Sequence, residues 1–563
     1  VKTQTCVYDV CRHYVTDYSC QLGDALTNKL LGLIRNRDLP KLAAAGDLFD
    51  QAKHDRYVFT HLRQISAFFK KNAVFVSVDC NETALKTFDK AERLCRITNR
   101  RLDHYFTKRD RLDPDLDKWM TRAERFIRSV LGEYSHFLED LPSRIRITSG
   151  ASATSNRRDS LPVLKLRRRI SATHRSIPYL DALAVHFGYK QRFIGKEWNR
   201  VETVPKNWKT ARTIACEQEG NIPLQLAFDD YCKERLRIYA KIDLRDQSRN
   251  QNLSKQGSID GSLSTIDLSM ASDTLSYNAV AWLLPEQWFN YLTDVRASYY
   301  RLNNDIKKYA KFSSMGNGAT FALETLIFAS ACYAVGSKAY SVYGDDIVIE
   351  TELYSDLIRM LSFLGFTVNK DKSYNVGPFR ESCGTDWYLG HNVTPFYLRD
   401  WASCKKLPLI SHNINGLAAI CYPGGALEHY LLDLYEQNQK AMPLVPFNNV
   451  STSGIYIDIY SAYKLKLFHN RLHHKQVVYY KCLVSNSKTR MICDSRSLFL
   501  WFLDKNRRRL EDDDSVVIRS RVPMLSHKYV RKWVCWNPPA QLTPVHLYRW
   551  TELVISRLNG VRN

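Results

Sequence analysis

Apolar and polar positions alternate differently in three parts of the chain. Between Asp117 and Asp140, Phe126, Val130 and Tyr134 recur every four residues beside Ile127 and Leu131, which predicts one apolar helix face. The first 140 residues read as mainly helical scaffold. The run SGASATSNRRDS, residues 149–160, is small and polar, a boundary or substrate-facing loop that opens a basic stretch. In the centre, two β-rich runs over 340–343 and 347–349 flank Gly344, Asp345 and Asp346, the pattern of a hairpin with carboxylates at its turn. A further strand is predicted over 263–266; it ends in Asp267, and Asp273 follows six residues on. Between these acidic elements, KFSSMGNGAT (311–320) precedes an apolar helical run from Phe321. Glycines on both sides of Asn317 let the backbone approach a sugar or phosphate, and the helix start behind them favours anions. Beyond residue 400, helical patterns alternate with polar joints, and the tail carries Trp533, Trp536 and Trp550 among basic residues; no chemistry is assigned to it.

Composition sets the scale. The 563 residues suffice for about four average domains, and 45% hydrophobic with 12% aromatic residues exclude general disorder. The longest apolar stretch, residues 325–336, is stopped by Glu324 and falls short of the roughly 18 residues a spanning helix needs, so a transmembrane chain is not expected. The 14 cysteines form no CxxC and no regular spacing. With no signal peptide read at the start, a reducing compartment is expected, the cytosol by default.

Charge changes the picture most. Lys plus Arg number 81 against 58 Asp plus Glu, a formal charge of +23 that points to a polyanionic partner, nucleic acid first. Residues 141–200 hold 13 basic residues against 3 acids, including Arg167, Arg168 and Arg169; residues 461–490 hold 7 and no acid. Residues 261–360 reverse the balance, with 11 acids against 7 basic residues. Carboxylates beside phosphates are tolerable only with divalent cations between them. Asp267, Asp345 and Asp346 converging on one point would form a site for two Mg²⁺ ions, which suits phosphoryl transfer.

The ordered set TIDLSMASDTLS, SSMGNGATFALETLIFAS, YGDD, GPFRESCG and VTPFYL resembles the RNA-directed RNA polymerase (replicase β subunit) of the single-stranded RNA bacteriophages, the levivirus group, over residues 204–398. The resemblance implies an α+β, right-hand polymerase fold of fingers, palm and thumb, with an antiparallel palm sheet packed on helices. The implied division is 1–140, a helical region supporting the fingers; 141–260, fingers; 261–400, palm; and 401–563, thumb and C-terminal region. Asp267, Asp345 and Asp346 fall on the family's metal-binding acids, for Mg²⁺ with Mn²⁺ as a substitute. VPKNWKTARTIACE places Lys206, Lys209, Arg212 and Glu217 on a fingers motif whose basic residues face the incoming triphosphate. GFTVNKDKS offers Lys372, rather than Lys370, as general acid near the leaving pyrophosphate. Asp273, Ser314, Gly316 and Asn317 complete the implied nucleotide contacts, Asp273 and Asn317 meeting the ribose 2′-hydroxyl directly or through each other. The alternative for Asp273 is a cap on a helix beginning near Thr274. Met270 and Ala271 stand where the family commonly has two small residues.

Template-directed RNA synthesis on a phage genome is therefore the leading expectation. Single-stranded RNA and ribonucleoside triphosphates are the implied ligands, host elongation factors Tu and Ts with a ribosomal protein the implied partners, and the infected bacterial cytoplasm the implied place. A reverse transcriptase is the nearest rival, but Ser269, Ser272 and Asp273 stand where such enzymes usually carry a bulky aromatic. A non-catalytic RNA-binding protein would explain the charge but not the acids at strand ends. A metal-dependent nuclease would shorten RNA rather than incorporate triphosphates.

Overall fold

A computed structural model describes residues 2–50, 53–71, 79–107, 113–155, 160–166, 168–398, 407–439, 442–447, 454–470, 478–492, 496, 500, 520–535 and 544–560. Arg167, Trp536 and part of the polar run, residues 156–159, lie outside them. The fold mixes helix and sheet, and two large cores organise it.

The larger core gathers residues from Leu102 to Phe366. Its axis is the helix Thr320–Ala334, the apolar run of the sequence, whose side chains are buried almost all round. A helix apolar on every face belongs inside a large body or a membrane. Here protein covers it, and no helix among the described residues is long and apolar enough to cross a membrane. The segment predicted as one apolar face over 117–140 is two helices, Pro114–Leu131 and Tyr134–Arg144. Gly132, at φ +68°, ends the first, a left-handed conformation that glycine adopts without penalty. Both stack on the buried helix and its neighbours, burying Ile127, Val130, Leu131 and Phe137.

The second core joins the two ends of the sequence. Helices Lys2–Asp17, Asp24–Arg35 and Arg56–Lys70 pack on Leu407–Ala418, Ala426–Asn438 and Val545–Gly560, with Trp550 buried among them. Asp17 caps a helix more than 400 residues away, its carboxylate accepting from the N–H groups of Ala426 (2.7 Å) and Leu427 (2.9 Å). Residues 1–140 are thus not one packing unit: the first seventy lie with the C-terminal part, whereas residues from Leu102 on lie with the central core.

His61 is buried in this second core. Gln21 Oε1 can only accept, so Nε2 of His61 donates to it (2.5 Å) and Nδ1 accepts from the Tyr14 hydroxyl (2.8 Å). Burial holds the imidazole neutral and pulls its pKa down to about 4. Its folded pKa lies below the unfolded one, so its contribution is complete above about pH 6.5 and is lost as pH falls toward 4. Replacing His61 by Gln is expected to remove roughly 2 kcal/mol of pH-dependent destabilisation across that window, measured as the difference between wild-type and variant urea midpoints at pH 7 and pH 4.5. Parallel midpoints would contradict a buried neutral His61.

Two sheets frame the centre. A four-stranded sheet runs in the order Ala211–Cys216, Trp198–Pro205, Tyr299–Leu302, Asp305–Lys308. A three-stranded antiparallel sheet has Asp346–Glu350 in the middle, Leu263–Ile266 on one side and Ser341–Tyr343 on the other. The strands predicted at 263–266 and in the hairpin are all present, with Asp346 as the first residue of its strand rather than part of the turn.

Candidate active site

The antiparallel register pairs Ile266 with Ile347, so the next position outward sets Asp267 opposite Asp346, with Asp345 one residue away at the turn. Strand pairing thus brings together carboxylates 79 positions apart in sequence. Gly344 makes the turn at φ +62°, and a Cβ there would lie 2.6 Å from the Phe321 ring. Its N–H donates to Thr325 Oγ1 (3.1 Å), which ties the turn to the buried helix.

Like charges crowd here. Burial, then the fields of Asp345 and Asp267, pushes the Asp346 carboxyl up to about 7. Burial also raises Asp267, against the pull of Lys372 and of Asn369, whose amide donates to Asp267 Oδ2 (2.7 Å). Lys372 Nζ stands 3.8 Å from Asp267 Oδ1. Although burial opposes it, Asp267 and Glu381 hold the Lys372 ammonium above its ordinary range. Lys206 is lowered by burial and then by Arg212 and Lys372, while Asp267 and Asp345 pull the other way. Lys206 and Lys372 therefore lie within the field of the acids, and Arg212 lies near Lys206. Lys206 and Lys209 lie in the turn between the strands Trp198–Pro205 and Ala211–Cys216, and Lys209 lies instead over the Trp208 ring at 5.0 Å.

As placed, no group of three His, Cys, Asp or Glu side chains among the described residues stands ready to hold a metal ion, and Asp267 is turned toward Asn369 and Lys372. The donor chemistry nonetheless fits a hard divalent cation: the crowded carboxylates supply only oxygen, and their mutual repulsion is what a cation relieves.

Met270 adopts the left-handed conformation at φ +58° and starts the short turn Ala271–Thr274, its carbonyl accepting from the N–H groups of Asp273 and Thr274 (both 2.9 Å). This turn takes up the six-residue step from Asp267 and sets Asp273 over residues 311–314. Asp273 Oδ1 accepts from Lys311 Nζ (2.8 Å) and Ser314 Oγ (3.3 Å). Asp273 is not a helix cap; Ser276 caps the following helix, accepting from Ala279 N–H.

Asn317 has other partners. Its Oδ1 accepts from Ala319 N–H (2.9 Å) and its amide donates to Glu217 Oε1 (3.4 Å). Glu217 is fully enclosed, raised by burial and held by Asn199 and Asn317, so it braces the loop rather than facing an open site. The glycine loop also differs from its sequence reading. Gly316, at φ +111°, lies against the backbone of Ala215, whose oxygen would be 2.3 Å from an added Cβ. The N–H groups of Gly318, Ala319 and Thr320 are taken by Gln225, Asn317 Oδ1 and the Asn317 carbonyl. Close approach is to protein, and the N–H groups leading into the helix are engaged within the loop.

Two carboxylates escaped the sequence reading. Glu324 looked like a polar stop to an apolar run; it is buried, one oxygen has no partner, and burial with Asp345 and Asp273 raises its carboxyl far above the usual range. Glu381 helps to raise Asp267 and Asp346 and lies 3.7 Å from Arg63.

Carboxylates gathered at a hairpin turn and strand end, with Lys206 and Lys372 in their field and Arg212 near Lys206, define a centre suited to phosphoryl chemistry on a polyanion. The chain belongs to the family described as RNA replicase, beta-chain, whose family model matches residues 13–531. It is 37% identical over 383 residues to the RNA-directed RNA polymerase subunit beta of Enterobacteria phage SP, covering 65% of each chain. With the corresponding subunit of Escherichia virus Qbeta it shares 36% identity over 378 residues, 65% of this chain and 63% of that one. The beta chain of Escherichia phage MS2 is 32% identical over 362 residues, 61% of this chain and 64% of its own length. These matches span just under two thirds of the relatives' length.

Proposed function

We propose that the chain is the catalytic subunit of an RNA-directed RNA polymerase that copies a phage single-stranded RNA genome. The observation that carries this reading is the strand register setting Asp267 opposite Asp346 beside Asp345, with Lys206 and Lys372 in their field and Arg212 near Lys206. In this reading the three-stranded antiparallel sheet is the palm of a right-hand fold, residues 141–260 contribute fingers, 261–400 the palm, and 401–563 the thumb with the C-terminal region. The first 140 residues divide between the fingers' support and the thumb side, in keeping with the two cores.

Asp267 and Asp345, with Asp346 in support, would hold two Mg²⁺ ions, which supply activation of the attacking hydroxyl and charge stabilisation at the leaving oxygen. The protein's own groups do the rest. Lys206 and Arg212 offset charge on the triphosphate, with Lys209 at the outer turn. Lys372, 3.8 Å from Asp267 Oδ1, would hold a proton for the leaving pyrophosphate. Asp273 has one oxygen engaged by Lys311 and Ser314, leaving Oδ2 for the ribose 2′-hydroxyl, while Asn317 and Gly316 fix the loop. Elongation factors Tu and Ts and a ribosomal protein of the host are the proposed partners, in the bacterial cytoplasm.

The test is to purify the chain with its co-purifying host proteins, supply phage-type RNA, four ribonucleotides and Mg²⁺, and follow labelled full-length product. Shortened RNA without incorporation would favour a nuclease; binding without either would favour a non-catalytic RNA-binding protein. RNA affinity is expected to fall steeply between about 50 and 200 mM salt, as counterions are released from each neutralised phosphate. A flat response in a filter-binding titration would contradict a basic channel. Not all of the surplus serves such a channel: Arg144 is tied to Asp140, Asp230 and Glu234.

A further inference from the structure

Arg296 is 4% exposed and makes no direct ion pair, although the buried carboxylates Glu217 and Glu92 lie within its field. Its guanidinium lies against the rings of Phe312 (5.0 Å) and Tyr277 (5.4 Å), its one hydrogen bond is a 3.5 Å contact from Nε to the Ala297 carbonyl, and Nη1 is buried with no partner. Without a carboxylate in direct contact, burying this cation is costly, and an anion at its free nitrogen would lower that cost. It borders a polar cavity of about 510 Å³ whose wall also carries Thr293, the hydroxyl of which is likewise buried and unpartnered. Two unsatisfied polar groups, one of them a fixed cation, thus meet at one space of the size small ligands occupy.

The rest of the wall narrows the ligand's chemistry. Lys308 adds positive charge at the exposed rim, where Arg175 stands 3.8 Å from Asp294. Tyr299 offers an exposed ring, and Asp294 and Glu197, which already accept from Tyr179 and His174, add carboxylate oxygens that can also accept from hydroxyls. Guanidinium with further cations selects phosphate, aromatic faces select a flat base, and carboxylates select a sugar. We infer that this cavity is a second nucleotide site, distinct from the acidic centre, in which Arg296 and Thr293 take the phosphate of a ribonucleotide unit, either free or part of a single RNA strand. Residues Lys311 and Phe312 separate it from the sugar-facing side: Lys311 turns to Asp273 and Phe312 to Arg296. Occupancy would therefore bear on the segment that leads into the glycine loop.

Thermal unfolding of the full chain with its co-purifying proteins, in EDTA so that the acidic centre holds no cation, tests this with three probes: AMP, a six-residue oligoribonucleotide and inorganic phosphate. AMP or the oligonucleotide is expected to raise the melting temperature and inorganic phosphate to do so weakly; which of the two is stronger identifies the source of the phosphate. Arg296→Met breaks no direct ion pair and should bind the effective probe about tenfold more weakly or worse. Should that variant fail to fold, Arg175→Gln at the rim should weaken the same probe, and 4-thiouridine probes should crosslink to peptides holding Tyr277, Tyr299 or Tyr309. No stabilisation by any probe, equal affinity in a folded Arg296→Met, or crosslinks confined to other peptides would overturn the site.

Discussion

Replacing Asp345 by Asn is expected to cut RNA synthesis by about three orders of magnitude or more while RNA binding changes little. Asp345 is exposed at the hairpin turn, and the turn's geometry depends on Gly344 and Thr325 rather than on the Asp345 side chain. The substitution therefore removes one oxygen donor and one negative charge without removing a fold contact. The basic groups that bind phosphates lie on other elements and remain. Asp346→Asn separates metal affinity from folding. Because Asp346 is raised to about 7 by burial and by its neighbours, the neutral amide should raise the melting temperature of the metal-free protein at pH 8 while activity falls. Incorporation of labelled ribonucleotide, filter binding and thermal melting, measured on the same preparations, distinguish the outcomes. Equal losses of binding and synthesis in Asp345→Asn would mean misfolding or a different centre.

The acidic centre was legible in the sequence because its signals are local. Two short β-rich runs around Gly-Asp-Asp specify a hairpin, and a strand ending in Asp267 needs only pairing to bring that acid across from Asp346. The partners that hold Asp273 were not legible. Glu92 and Lys311 lie more than 200 positions apart, and Lys311 reads as an ordinary charged residue before a polar loop; only the packing of helix Cys80–Thr107 beneath residues 309–312 buries them together. Glu324 has the same character, since a carboxyl within a helix reads as exposed until every face of that helix is covered. The glycine loop misled for the opposite reason. Glycine signals close approach but not to what, and here the neighbour is Ala215. The pairing of the N-terminal helices with the C-terminal ones is a tertiary event with no periodic trace, apart from Asp17 at the end of its helix.

Sugar choice is expected to depend on a residue that need not touch the nucleotide. Lys311 is 1% exposed, holds Asp273 Oδ1 at 2.8 Å, stands 4.0 Å from Glu92 and sits 3.7 Å above the Phe88 ring. That anchorage engages Oδ1 and leaves Asp273 Oδ2 as the acceptor proposed for the ribose 2′-hydroxyl. Asp273→Ala removes the acceptor and should narrow the preference for ribonucleotides over deoxyribonucleotides by the worth of a buried hydrogen bond, about 1 to 3 kcal/mol or roughly 5- to 150-fold. Asn317→Ala acts on Glu217 and the loop, so it should lower synthesis with both sugars alike. Lys311→Met carries two effects at once. It leaves Glu92 and Asp273 without their cation, a loss of about 3 to 5 kcal/mol of stability, and it frees Asp273 to turn, so the remaining activity should discriminate sugars as poorly as Asp273→Ala. Adding Asp273→Ala to Lys311→Met should then change discrimination no further, because both act through one carboxylate. The decisive measurement is the ratio of kcat/KM for a ribonucleotide to that for its deoxy counterpart in all four variants, beside urea midpoints. If Lys311→Met loses stability but keeps wild-type discrimination, the ion pair is structural and Asp273 is aimed by Ser314 alone.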